Sequence, residues 1–204
     1  MKIILASSSP YRQSILKKLH IPFICEAPNI DESPILGESI YDQVARLAKY
    51  KALAIAAKKA HVNSFVIGSD QLASFNGNVL GKPGDFASAK QQLLMFSGQT
   101  VKFHTGLCIV HKATGQLQQI VETFDVVFKT LTIEQISTYL KIEQPYDCAG
   151  SFKCEGLGIA LFKSLNGNDP NTLIGLPLIA LIELFKNMSV DLFEHMQIQS
   201  NSDV

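Results

Sequence analysis

The chain has 204 residues and a mass of 22.4 kDa, enough for one large domain with a substantial hydrophobic core. Hydrophobic residues make up 47% and charged residues 18%, a balance that excludes an intrinsically disordered chain. Lys plus Arg (18) equals Asp plus Glu (18), so the formal net charge is +0 and no diffuse nucleic-acid-binding surface is expected. Any phosphate binding therefore needs a local cluster of cations.

The sequence predicts a cytoplasmic protein without a membrane anchor. Apart from Gly and Pro, the longest apolar stretch is Leu173–Ile182, which is too short to cross a bilayer. The apolar segment Ile3–Ala6 is too short for an export signal. No CxxC pair occurs, so the cysteines are interpreted as reduced thiols, although a disulfide between Cys148 and Cys154 stays open.

Strands and helices alternate in the first third of the chain. Ser9 and Pro10 suit the N-cap and first position of a helix, and Ser39 with Asp42 opens a longer helix that reaches about Lys59. The predicted strands of this region are Lys2–Ala6, Ile21–Cys25 and Ser64–Gly68, with Asp70 at the carboxyl end of the last.

A long hairpin is predicted in the middle of the chain, with one buried face, because apolar residues such as Leu107 and Ile109 alternate with polar ones. The other predicted elements are a turn at Asn76-Gly77, a helix from Asp85 to Phe96, hairpin strands Thr100–Lys112 and Gln116–Leu131, a helix Thr132–Lys141, a strand through Phe162 and a helix Leu178–Phe185. Together they predict an α/β fold with a mixed sheet flanked by helices. Residues 1–188 are predicted to form a single domain, and residues 189–204 a polar, frayed tail.

Two basic segments suit phosphate binding. The run from Ser7 to Arg12 lies at a predicted helix N-terminus, where backbone N–H groups attract anions, although the local pattern alone favours plain helix capping. Lys82 lies on a rigid Gly-Lys-Pro turn that would suit a contact to phosphate, although an ordinary exposed turn lysine is the alternative.

Four further side chains suit a ligand or a proton transfer. Glu32 lies in a polar loop, where a carboxylate is usually solvated unless a second one approaches to share a divalent cation. Lys51 falls on the apolar side of its helix, so its ammonium either reaches back to solvent or enters an anionic pocket. Asp70 is the best candidate for a general base or metal ligand, with turn capping as the alternative. Glu155 offers two acceptors that match the N1–H and N2–H2 donors of guanine, whereas Asp169 is expected to cap a turn.

In their order and spacing, these motifs resemble the Maf nucleotide pyrophosphatases over about residues 2–186. The matching segments are LASSSPYR, the Asp31-Glu32 pair, Lys49–Ala52, GSDQ, GKP and AGSFKCEG. The resemblance implies an elongated fold related to the inosine-triphosphate pyrophosphatases, with two lobes around a central cleft, and a homodimer. It also implies hydrolysis of a nucleoside triphosphate to the monophosphate and pyrophosphate with a divalent metal, Mg²⁺ or Mn²⁺.

Residue by residue, the resemblance implies three sets of side chains. The metal is assigned to Glu32 and Asp70, and Asp70 is also the general base. The triphosphate is assigned to Ser7, Ser9, Arg12, Lys51 and Lys82.

Three departures from the family's common motifs, one of them in its SxSPRR motif, resemble the YceF-like subgroup, whose substrate is 7-methyl-GTP. They are Tyr11, Gln71 and Glu155, while Gln13 departs even from the subgroup. Because 7-methylguanine is cationic, Tyr11 can stack on it and Glu155 can pair with it. Two alternatives remain: the same chemistry on dTTP or UTP, and a nucleotide-binding regulator of septum formation with little turnover.

Overall fold

The computed structural model describes residues 1–197, and the end of the predicted tail, residues 198–204, lies outside the described residues. The strands are β1 Ile3–Leu5, β2 Phe23–Cys25, β3 Phe65–Phe75, β4 Asn78–Leu80, β5 Thr100–His111, β6 Gln116–Phe128 and β7 Phe162–Asn166. The helices are α1 Pro10–Lys17, α2 Ile40–Ala56, α3 Phe86–Phe96, α4 Ile133–Glu143 and α5 Leu178–Asn187, with 3-10 turns at Lys59–His61, Leu157–Leu161, Pro170–Ile174 and Leu192–His195.

The strands form one mixed sheet in the order β2-β1-β3-β5-β6-β7, with β4 paired to the far part of β3. β1 is parallel to β2 and β3, and the remaining pairs are antiparallel. The predicted α/β fold with a mixed sheet flanked by helices is confirmed.

The helix starts follow the local sequence. Ser9, Ser39 and Asp85 each accept a hydrogen bond from a backbone N–H in the first turn of α1, α2 and α3. Thr132 and Gln135 form a capping box at α4. Helix α2 ends at Ala56, three residues before the predicted end, and the chain continues into the Lys59–His61 turn.

The prediction that Asp70 ends a strand is wrong, because β3 continues to Phe75. The extra length is stabilised by β5, which pairs with β3 from Phe65 to Ser74. The neighbouring β1 stops at Leu5, opposite Ile67. Asp70 therefore lies just beyond the carboxyl end of the parallel strand next to it, rather than at the end of its own strand.

The central hairpin is buried on both faces over much of β5, contrary to the single buried face that the sequence predicts. Leu107 and Ile109 pack in a cluster with α5, whereas Cys108 and Val110 pack with α2. The two helices cover opposite sides of the strand, and the small polar-looking Cys108 is fully buried as a result.

Two glycines bring α2 unusually close to the sheet. A Cβ on Gly68 of β3 would lie 2.2 Å from the Ala48 carbonyl oxygen, and one on Gly106 of β5 would lie 2.2 Å from the Val44 carbonyl oxygen. Only glycine allows this approach of helix backbone to strand backbone. The position of α2 over β3 and β5 follows from these two residues.

The start of the predicted tail is packed rather than frayed. Leu192, in the last 3-10 turn, is 1% exposed and joins the cluster around α1 and α5, and Val190 and Met196 pack against that cluster. The backbone N–H of Gln197 donates to the His20 carbonyl oxygen at 2.7 Å. Within residues 1–197, no helix combines the length and apolar composition that a membrane crossing requires.

Candidate active site

A cleft of about 620 Å³ opens beside the N-terminus of α1. Its lining includes nine of the ten predicted site residues: Ser7, Ser9, Tyr11, Arg12, Glu32, Lys51, Gln71, Lys82 and Glu155. The tenth, Asp70, is buried and contacts Lys51. Segments far apart in the sequence therefore meet at one place.

Lys51 connects the two predicted metal carboxylates. Its Nζ donates to Asp70 Oδ1 at 2.6 Å and lies 3.0 Å from Glu32 Oε1. The Lys51 side chain is only 8% exposed, because α2 directs it toward the sheet. Of the two alternatives for this lysine, the anionic pocket is confirmed.

The carboxyl of Asp70 lies in an environment that disfavours its charge. Burial raises the pKa of Asp70 above its ordinary value, while Lys51 and then Arg12 oppose that shift. Burial also lowers the pKa of Arg12, and Asp70 and Glu32 counteract it. Two cations and two carboxylates thus interact within one partly dry site.

Arg12 is fixed by a contact that no local pattern indicates. Its Nε donates to the carbonyl oxygen of Gly175 at 2.9 Å, and the same oxygen accepts from Ser69 Oγ at 2.7 Å. Gly175 has φ +103°, and a Cβ there would lie 3.2 Å from Arg12 Nε. The left-handed glycine is therefore needed both for its backbone shape and for room beside the guanidinium.

The serine loop is pre-ordered by its own hydrogen bonds. The N–H of Ser9 donates to Ser7 Oγ at 3.1 Å, and the N–H of Arg12 donates to Ser9 Oγ at 3.4 Å. Helix capping by Ser9 is confirmed, and the cap lines the cleft at the same time. The first turn of α1 therefore faces the site with its partial positive charge.

The loop that carries Glu32 is held to α2 by a partly buried ion pair. Arg46 donates to both oxygens of Glu38, at 2.6 and 2.7 Å, and to the Ser33 carbonyl oxygen at 3.2 Å. Sequence reasoning missed this clamp. It restrains the loop beside Glu32, which is itself 55% exposed.

Gln71 uses its amide to hold the Pro170–Ile174 turn. Its Nε2 donates to Thr105 Oγ1 at 2.9 Å and to the Thr172 and Leu173 carbonyl oxygens at 2.6 and 3.2 Å. Asp169 caps the same turn and accepts from the Ile179 N–H at 2.7 Å, so the expected capping role is confirmed. The Gln71 amide therefore holds in place this turn, part of which lines the cleft.

A second group of side chains surrounds Tyr11. Partial burial raises the pKa of Tyr11, and Cys148, Asp147 and Glu155 raise it further. The thiol of Cys148 donates to Asp147 at 3.5 Å, and that of Cys154 donates to Glu155 at 3.3 Å. Sequence reasoning missed Asp147; its signal is its place two residues before the AGSFKCEG motif.

Cys148 and Cys154 act here as protonated hydrogen-bond donors. Burial, reinforced by Asp147, raises the pKa of Cys148 to about 11, and burial with Glu155 raises that of Cys154 to about 12. All four cysteines are free in the structure. The negative charge around Tyr11 at neutral pH therefore comes from Asp147 and Glu155.

The carboxylates can hold a divalent cation only in partnership with other oxygens. Within residues 1–197, no group of three His, Cys, Asp or Glu side chains is arranged to bind a metal. Glu32 and Asp70 nevertheless converge on one cation, the Lys51 ammonium. Mg²⁺ commonly takes one or two carboxylates and fills its remaining positions with water and substrate phosphate, so the pair fits such an ion.

The family model described as Maf-like protein matches residues 2–188. The chain belongs to the Maf family. A 7-methyl-GTP pyrophosphatase of Pseudoalteromonas atlantica is 57% identical over 197 residues, covering 97% of this chain and 100% of that protein. One of Alcanivorax borkumensis is 53% identical over 190 residues, covering 93% and 95%.

The Maf-family chain also shares its fold with a HAM1 protein from Coxiella burnetii. The TM-score is 0.50 at 14% identity, covering 93% of this chain and 98% of that one. At this identity the likeness concerns the fold alone.

Proposed function

We propose that this Maf-family chain hydrolyses 7-methyl-GTP to 7-methyl-GMP and pyrophosphate, and thereby removes a modified nucleotide. The observation that carries the proposal is that one cleft contains both a set of cationic side chains and an aromatic ring close to carboxylates. Arg12, Lys51 and Lys82 suit a triphosphate, whereas Tyr11 lies among carboxylates that suit a cationic base.

The triphosphate would be held by cations and by the N-terminus of α1. Lys82 is exposed on its turn and forms no ion pair with another described residue, so it is free to reach a phosphate. Ser7 and Ser9 add hydroxyl groups to the backbone N–H groups of the first turn.

Asp70 would remove the proton from the attacking water. The hydroxide oxygen forms a bond to the α-phosphorus while the bond from that phosphorus to the bridging oxygen breaks, and pyrophosphate leaves with the electron pair. Burial raises the proton affinity of Asp70, which favours its action as a base. Lys51 and Arg12 would stabilise the negative charge of the departing pyrophosphate.

Glu32 and Asp70 would hold the Mg²⁺ or Mn²⁺ ion. When bound, the ion would neutralise triphosphate charge and polarise the phosphoryl oxygens. The two carboxylates already share one cation, which supports their assignment as a pair.

The base would lie against Tyr11, with its donor edge toward Glu155. A uracil or thymine presents mostly acceptors at that edge and would leave Glu155 unpaired, which is costly for the wrong substrate. Gln71 would contribute to base selection by positioning the turn whose Leu173 lines the cleft. We further propose a cytoplasmic homodimer with no nucleic-acid partner, as the family pattern and the formal net charge of +0 suggest.

The test is pyrophosphate release from 7-methyl-GTP, GTP, dTTP, UTP and CTP, each with Mg²⁺, with Mn²⁺ and with a chelator. We expect 7-methyl-GTP to be preferred and turnover to require the metal. Asp70→Asn is expected to remove most turnover, by a factor of about 100 or more, without loss of the folded state by circular dichroism. A preference for dTTP or UTP would contradict the base assignment, and near wild-type turnover by Asp70→Asn would contradict its role as base.

A further inference from the structure

Lys51 occupies the place that a divalent cation would need. Its Nζ lies 2.6 Å from Asp70 Oδ1 and 3.0 Å from Glu32 Oε1. An ion bound to the same oxygens at about 2.1 Å would lie so close to the ammonium that the two charges would repel strongly. The lysine and the ion therefore compete for one position.

The charge balance of the four side chains gives a second reason. Lys51 and Arg12 contribute +2, and Asp70 and Glu32 contribute −2, so the four groups sum to zero. These four side chains therefore carry no net negative charge that would attract a free divalent cation. A triphosphate adds several negative charges and gives the ammonium another partner.

We propose that Lys51 competes with free metal for the two carboxylates and moves onto the phosphates when the metal arrives with the nucleotide. The proposal rests on the metal site of the proposed function. A buried ammonium is costly without an anion, so Lys51 stays between the carboxylates until the triphosphate offers a replacement. Metal and nucleotide binding are then strongly coupled.

The test is binding of free Mn²⁺ at pH 8, measured by electron paramagnetic resonance without nucleotide. We expect Lys51→Met to bind Mn²⁺ at least about tenfold more tightly than the wild type, since an ammonium is removed from beside the site. Lys82→Met is the matched control, because Lys82 lines the cleft but contacts neither carboxylate. It should bind free Mn²⁺ as the wild type does.

The proposal requires that the tighter Mn²⁺ binding of Lys51→Met depends on the two carboxylates, Glu32 and Asp70. Adding Glu32→Gln to Lys51→Met should abolish the tighter binding. Thermal unfolding gives a second readout, since Mn²⁺ should raise the midpoint of Lys51→Met more than that of the wild type. No tighter binding by folded Lys51→Met, or tighter binding that survives Glu32→Gln, would overturn the proposal.

A wild-type measurement keeps the test valid if Lys51→Met does not fold. Mn²⁺ alone should leave the wild-type unfolding midpoint nearly unchanged. Mn²⁺ with a 7-methyl-GTP analogue carrying an α,β-methylene bridge should raise it above the analogue with chelator. A large shift with Mn²⁺ alone, or no metal effect in either condition, would overturn the inference. No hydrolysis occurs in this assay, so its result is separate from which nucleotide the enzyme turns over.

Discussion

At the scale of single residues, Asp147 places a second carboxylate near Tyr11. It lies beside Cys148 on the cleft and shares the surroundings of Tyr11 with Glu155. Two carboxylates near one aromatic ring would suit the cationic aromatic base of the proposed substrate. The negative charge of Asp147 should therefore favour the methylated base over the neutral one.

Asp147→Asn tests that charge while keeping the size of the side chain. We expect the ratio of kcat/KM for 7-methyl-GTP to that for GTP to fall roughly tenfold, because one attractive charge is removed. Turnover of GTP itself should change little. The measurement is steady-state kinetics on both nucleotides.

Asp125→Asn is the matched control, since Asp125 pairs with Lys102 away from the cleft. It should leave the ratio unchanged. An unchanged ratio in Asp147→Asn, or an equal fall for both nucleotides, would remove Asp147 from base selection.

At the scale of elements, the loop before α2 depends on one ion pair. The Arg46 and Glu38 side chains are 13% and 9% exposed, so their bidentate contact is shielded from water. It connects the loop of Glu32 to the helix of Lys51. The geometry of the carboxylate pair should follow the integrity of this contact.

Arg46→Met should lower kcat/KM for every accepted nucleotide by the same factor, roughly tenfold, because Glu32 is less well positioned. The preference for 7-methyl-GTP over GTP should not change, since the side chains proposed to contact the base lie elsewhere. Lys102→Met, which breaks an exposed pair with Asp125, serves as control and should leave the rate unchanged. A changed preference in Arg46→Met would show that the clamp acts on the base instead.

The helix starts were predictable because the information is local. Ser9, Ser39, Asp85 and Thr132 each bond to backbone within three residues. Lys51 was predictable in direction, since helical periodicity places it on the apolar side of α2. The length of β3 and the burial of Cys108 on the second face of β5 were not predictable, because both depend on partners that the local sequence does not specify.

The same distinction holds for the site. Its motif residues are recognisable as a set, and the structure places nine of them on one cleft, with Asp70 in contact with Lys51. The contact from Arg12 to the Gly175 carbonyl spans 163 positions, and no sequence period announces it. Asp147 and the Arg46 clamp were missed for a related reason: isolated charges in loops and on exposed helix faces have many ordinary explanations.

At the scale of the whole molecule, the cleft adjoins two apolar clusters. Leu173 belongs to the cluster of β5, β6 and α4, whereas Ile174 packs against the cluster of β1, α1 and α5. Both residues line the cleft. The Pro170–Ile174 turn thus connects two of the apolar clusters beside the site, and the stability of either cluster should affect the cleft.

Leu192 tests how far the folded unit extends beyond residue 188. Because this side chain is 1% exposed in the α1 and α5 cluster, Leu192→Ala should lower the free energy of unfolding by about 2–5 kcal/mol. Phe193→Ala is the control, since Phe193 is 72% exposed, and its cost should be small. The measurement is denaturant unfolding, and equal costs would show that the segment is peripheral.

The close approach of α2 to Gly68 and Gly106 restricts which residues can replace these two glycines during evolution. Gly68 and Gly106 set the height of the helix that carries Lys51 above the strand that carries Asp70. A methyl group at either position would push the helix outward and lengthen the hydrogen bond between Lys51 and Asp70. Substitution there should be rare among relatives that keep the activity, although neither glycine lines the cleft.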